Sequence, residues 1–124
     1  MSIGNRPIAS GPRRGEIYRI DLRDIGGNVL SGPHHCVVVQ ANVMSRSSTT
    51  LLVPITSRAA SAALKPEYLV EVTARDIGLS WGGFIHADQV FTLPVAELSQ
   101  RTGILSAVKL TALEKALAFV LDLA

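Results

Sequence analysis

Cysteine, aromatic residues and long apolar runs are all scarce in this chain, and each scarcity excludes a class of protein. One cysteine in 124 residues leaves no intrachain disulfide framework, which fits a reducing cytoplasm. No apolar run approaches the ~20 residues that a membrane-spanning helix needs. Residues 1–15 lack the apolar core of a secretory signal, so none is expected. Aromatics are only 5% of the chain, so the core has first claim on the few rings present. Charge is modest too, at 18% of residues and a formal net of +2. The isoelectric point near 9.0 leans mildly toward an anionic partner. What remains is a chain 48% hydrophobic, enough for one core and too apolar for a disordered body.

Read in order, the chain opens on a loose basic arm over residues 1–14, with Arg6, Arg13 and Arg14 among glycines and prolines. A single domain is expected over 15–124. Residues 15–22 alternate, with Ile17, Arg19 and Asp21 on one side and Tyr18, Ile20 and Leu22 on the other, predicting a strand with one face buried. A Gly/Pro-rich loop over 23–33 follows, too long for a tight hairpin turn. Strands are predicted over 34–40, 50–55 and 67–72. Another runs over 84–92, bending into a sixth around Asp88 and Gln89, and a further short one covers 101–105. Pro94 suits the first turn of a short helix. Ser106 is placed to cap a terminal helix whose Leu110, Leu113, Leu117 and Val120 or Leu121 recur at helical spacing. The fold class is α+β: a curled antiparallel sheet packed on one long helix.

Residues 32–57 organise this scheme. If strands 34–40 and 50–55 pair antiparallel, the start of one lies beside the end of the other. His34, His35 and Thr56 then meet at one rim. Imidazoles beside a hydroxyl are acid–base and hydrogen-bonding groups, whereas the apolar middles of both strands need only pack. His34 shares a strand face with Cys36, Val38 and Gln40, and His35 points the other way. His34, Cys36 and His86 make a poor zinc set: His-x-Cys has no second paired motif, and Cys36 lies in an apolar run. Trp81 and Phe84 offer either stacking faces or core area. Asp88 reads as structural.

The order of motifs resembles the MazF/PemK family of toxin endoribonucleases from type II toxin–antitoxin modules. Arg14-Gly15-Glu16-Ile17-Tyr18 with Asp21-Leu22 is similar to the family's opening strand, and Val37-Val38-Val39-Gln40 to its second. Val53-Pro54-Ile55-Thr56-Ser57 is similar to the end of its third. Ala87-Asp88-Gln89-Val90 and Gly103-Ile104-Leu105-Ser106 resemble later segments. The resemblance implies an SH3-like fold, a homodimer, and an antitoxin peptide as inhibitor. It also implies cleavage of single-stranded RNA through the ribose 2′-hydroxyl, without metal or cofactor. Thr56 matches the family's catalytic threonine, a hydrogen-bond donor to a phosphate oxygen. The family's Arg-Pro pair is absent, and His34 and His35 hold its two positions. His34, Thr56 and His35 are therefore the candidate catalytic residues. Arg23, Arg46, Ser57, Arg58, Lys65 and Gln89 are the candidate RNA contacts. Two other readings share the fold: a CcdB-like gyrase poison, and an inactive module that binds RNA or antitoxin.

Overall fold

The computed structural model describes residues 11–57 and 66–123. Among the described residues seven strands precede one long helix: β1 (Glu16–Leu22), β2 (Gly32–Val38), β3 (Thr49–Thr56), β4 (Leu69–Val72), β5 (Gly83–His86), β6 (Phe91–Pro94) and β7 (Gln100–Ile104). Helix α1 is one turn (Ala74–Ile77), and α2 (Ala107–Leu121) ends the domain. The strands form one antiparallel sheet in the order β4-β5-β3-β2-β1-β7, with β6 also paired to β3. The expected curled sheet and terminal helix are both present.

Strand β3 sits at the centre and has a divided edge. Along one side it pairs with β2, Val37 opposite Val53 and His35 opposite Ile55. Its other side takes β6 over Thr49–Leu52 and β5 at Ile55 and Thr56. Pro54 lies inside β3 and is fully buried. It falls in the gap between the β5 and β6 pairings, where a residue without an N–H leaves no ladder bond broken. The bend expected around Asp88 and Gln89 is present, and residues 87–90 cross the same gap between β5 and β6.

Alternation sorts side chains between two clusters. Ile17, Val37, Val53 and Ile55 pack with Ile85, Leu113 and Ala116, joining the sheet to α2. Ile20, Leu22, Cys36, Val38 and Leu52 fill the opposite side of the sheet, under Phe91 and Leu93. Strand β1 therefore buries residues on both faces, not one, because α2 covers the side that Ile17 enters. The Ser106 hydroxyl accepts the Lys109 N–H as an N-cap, and Val120, rather than the exposed Leu121, packs inward.

The expected arm over 1–14 is described only from Gly11; residues 1–10 lie outside the described residues. Within the described part, Arg14 donates from its guanidinium to the Val39 carbonyl oxygen and pairs with Glu114 at 3.2 Å.

A carboxylate ties α1 to the head of α2. The Asp76 side chain accepts from the Thr73 N–H (2.8 Å), the Thr73 hydroxyl (3.0 Å) and the Ser106 hydroxyl (3.1 Å). The Thr73 N–H is the main reason its carboxyl is held below the reference 3.8, and burial opposes this. A depressed carboxylate stabilises the fold fully above its unfolded value and ceases to do so as pH falls through the folded value. Asp76→Ala is expected to cost about 1–2 kcal/mol at pH 7. That deficit should close as both proteins are melted at successively lower pH below 3.8. A deficit unchanged down to pH 2 would contradict the linkage.

Candidate active site

The register that pairs His35 with Ile55 brings His34 beside Thr56 at the end of β3. Both lie on the face that carries Cys36 and Leu52, since neighbours two apart on a strand share a face. Pro33, His34, His35, Ile55, Thr56, Ser57 and Trp81 line a depression of about 240 Å³ at this rim. A larger cleft of about 560 Å³ lies elsewhere, around Glu16, Tyr18 and Arg101. It holds an ion pair between Arg101 and Glu16 (3.5 Å) and none of the three histidines, so the smaller depression is the site with acid–base groups.

His34 is held from two sides. Its Nδ1 faces the Ile55 carbonyl oxygen at 3.3 Å and its Nε2 faces that of Ser31 at 3.0 Å. A neutral imidazole has one N–H, so it leaves a lone pair against one of these oxygens; an imidazolium donates to both. Both ring nitrogens thus face backbone acceptors. Ile55 belongs to the central strand, whereas Ser31 belongs to the β1–β2 loop. Nε2 is therefore the nitrogen on the loop side of the ring.

Thr56 has a partner that sequence reasoning did not assign. Its Oγ1 lies 2.9 Å from Nε2 of His86. Phe84 pairs with Thr56, so His86 is its diagonal neighbour on the same face, within side-chain reach. Burial lowers the pKa of His86 and His34 lowers it further, while Asp88 opposes them. His86 is therefore neutral at pH 7. The available signal was positional: an imidazole two residues beyond Phe84, in a strand beside β3.

His35 points away, as its parity requires. Its Nδ1 lies 3.0 Å from the Thr102 hydroxyl, which itself donates to the Ile17 carbonyl oxygen. The His35 ring meets the edge of Trp81 at 5.5 Å, while Phe84 is buried. Burial, then Arg19 and His34, lower the His35 pKa. The neutral ring with its proton on Nδ1 satisfies this chain and has no proton to spare. His35 is thus held to Thr102 on the face opposite His34, although it also lines the depression at the rim. Cys36 is fully buried and its thiol is pushed up to about 12, so it is no thiolate ligand. Among the described residues no three His, Cys, Asp or Glu side chains gather as a ligand set.

The loop candidates divide. Ser57 lines the depression beside Thr56. Arg23 does not; it extends from the end of β1 toward Glu97 (3.5 Å) and is 83% exposed. Arg46 lies in the β2–β3 connection, at the far end of β3 from Thr56. Seven residues at ~3.3 Å each separate the two ends by roughly 20 Å, so Arg46 cannot contact the same phosphate as His34. Gln89 is a loop clamp: its Oε1 accepts from the Leu30 N–H (2.7 Å) and its Nε2 donates to the Asn28 carbonyl (3.1 Å). Both ends of its amide are bonded to loop backbone, which leaves one N–H and one oxygen lone pair open. Arg58 and Lys65 lie outside the described residues.

The fold and its rim define a small curled-sheet domain that gathers acid–base side chains where β2 begins and β3 ends. Residues 13–121 match the family model described as PemK-like, MazF-like toxin of type II toxin–antitoxin system. The chain belongs to this family. It is 30% identical over 117 residues to endoribonuclease MazF9 of Mycobacterium tuberculosis, covering 90% of this chain and 97% of that one. The fold matches a mycobacterial endoribonuclease solved in complex with its cognate antitoxin, at a TM-score of 0.73 and 24% identity, over 92% and 98% of the chains. It also matches MazF of Deinococcus radiodurans at a TM-score of 0.75 and 17% identity, over 91% and 98%. The gyrase-poison reading, which rested on shared architecture alone, is not favoured beside this family match.

Proposed function

We propose that this toxin is a ribosome-independent endoribonuclease that cuts single-stranded RNA at short sequence motifs, with His34 and Thr56 at the scissile phosphate. The observation that carries this reading is their placement on one face of one rim, with the His34 ring arranged as a donor. In the reaction the ribose 2′-oxygen attacks phosphorus and the P–O5′ bond breaks. His34 Nε2 gives its proton to the departing O5′, and its charge offsets that of the pentacoordinate phosphorane. The products are a 2′,3′-cyclic phosphate and a 5′-hydroxyl. Protein groups supply the charge and the proton, so no metal or cofactor enters the scheme. A cognate antitoxin segment laid over the RNA groove would silence the enzyme in the cytoplasm. The exposed Ile104, Val108, Phe119 and Leu121 favour a homodimer.

Incubation with a long defined RNA in EDTA tests the reading. Discrete cuts bearing cyclic phosphate and 5′-hydroxyl ends are expected, weakening steeply with added salt as phosphate contacts release counterions. Activity that vanishes with chelator and returns with zinc or magnesium would overturn it. Binding without cleavage would identify the inactive module instead.

A further inference from the structure

The proposed reaction leaves one proton unassigned. Attack by the 2′-oxygen requires a group to accept its hydrogen, and His34 is committed as the donor to O5′. His35 is turned to the other face with its Nδ1 on Thr102. Cys36 is buried. Asp88 is exposed beyond the end of β5 and has no contact with Thr56 among the described residues. Among the described residues the remaining acid–base group beside Thr56 is His86, whose Nε2 touches the Thr56 hydroxyl at 2.9 Å.

We propose that His86 is the proton acceptor of the reaction, working through the Thr56 hydroxyl and resting on the endoribonuclease reading above. With its own proton on Nδ1, the His86 ring accepts the Thr56 O–H at Nε2. This leaves the lone pairs of Oγ1 facing the groove, where the 2′-hydroxyl can donate to them. As the 2′-oxygen bonds to phosphorus, its proton passes to Oγ1 and the Thr56 proton passes to Nε2. His34 protonates O5′ as the P–O5′ bond breaks. The step ends with His86 charged and His34 neutral, and exchange with water restores both. Thr56 thus acts as a relay, which revises its expected role as a donor to a phosphate oxygen. The chain then carries a two-histidine acid–base pair.

The surroundings of His86 suit an acceptor. Strand β3 presents only Thr56 to it, and β2 presents His34, whose charge disfavours a second cation. Strand β4 places Glu71 on the same face, opposite Phe84, and Asp88 follows on its own strand. Of these two carboxylates, Asp88 favours the charged product. Burial outweighs Asp88 and keeps the resting ring neutral below 6.5 and upward.

The test is the pH profile of single-turnover cleavage from pH 5 to 8.5 on a short RNA with one cut site. The native protein should gain rate with pH on the acid side, through an ionisation below 6.5. His86→Gln keeps a hydrogen bond to Thr56 but cannot take up a proton. It should lose that limb and about 100-fold in rate at pH 7. Thr56→Val should lose as much, and the double variant no more than either single one, because both interrupt one path. An NMR titration of the His86 ring in the native protein should coincide with the acid limb, a check that needs no variant to fold. A His86→Gln profile that keeps its acid limb, a rate within threefold of native, or a His86 ionisation that misses the limb overturns the inference. If cleavage depends on His34 yet ignores His86, only this inference fails. If the native chain does not cut RNA, or cuts it equally well without His34, the endoribonuclease site itself fails.

Discussion

His34→Ala is expected to slow single-turnover cleavage at pH 7 by about 1,000-fold while leaving RNA affinity within about tenfold. The size follows from two losses at once: the proton delivered to O5′ and the positive charge beside the phosphorane. Neither is replaced by the neighbours. His35 is committed to Thr102 on the other face, and Arg46 lies at the opposite end of the strands. His34→Arg separates the two contributions. It restores permanent charge and a phosphate-binding fork but no readily released proton for O5′, so only part of the rate should return. His35→Ala should cost far less than His34→Ala, since its ring is bonded to Thr102 on the other face. Full activity in a folded His34→Ala protein would remove His34 from the mechanism.

Much of this arrangement was legible in the sequence because strand geometry is arithmetic. Two apolar runs joined by a polar turn pair antiparallel, and alternation then fixes which side chains share a face. That reasoning was enough to put His34 next to Thr56 and to turn His35 away. The same counting places Arg46 at the wrong rim, since it lies between the end of β2 and the start of β3; its charge alone made it look like a groove residue. Gln89 was harder, because an amide in a bend reads the same whether it faces RNA or clamps a loop. The Thr56–His86 contact joins strands 30 residues apart and depends on the β3–β5 register, which no local pattern specifies. Pro54 depends on the same long-range pairing: the split between β5 and β6 accommodates a proline inside a central strand.

The register that brings His86 to Thr56 depends on a glycine, and Gly83→Ala is expected to damage both stability and cleavage. A Cβ at Gly83 would lie 1.8 Å from the Thr56 carbonyl oxygen and 2.9 Å from the carbonyl carbons of Thr56 and Ser57. All three are backbone atoms, so no rotamer change relieves the contact. Relief requires β5 to withdraw from β3, breaking the pairings of Thr56 with Phe84 and Ile55 with Ile85. Such overpacking costs about 3 kcal/mol, a large share of the ~5–15 kcal/mol that holds a domain together. The melting temperature should fall by roughly 10 °C. In the fraction still folded, withdrawal of β5 carries His86 from Thr56, and a shift of about 1 Å at a reacting group can cost 100-fold in rate. Gly27→Ala is the comparison. Its φ is +62° but its Cβ meets nothing within 4 Å, so it should cost only about 1 kcal/mol of backbone strain and leave cleavage unchanged. If Gly83→Ala melts within about 2 °C of the native protein and cuts RNA at the native rate, the close approach of β5 to β3 does not position the site.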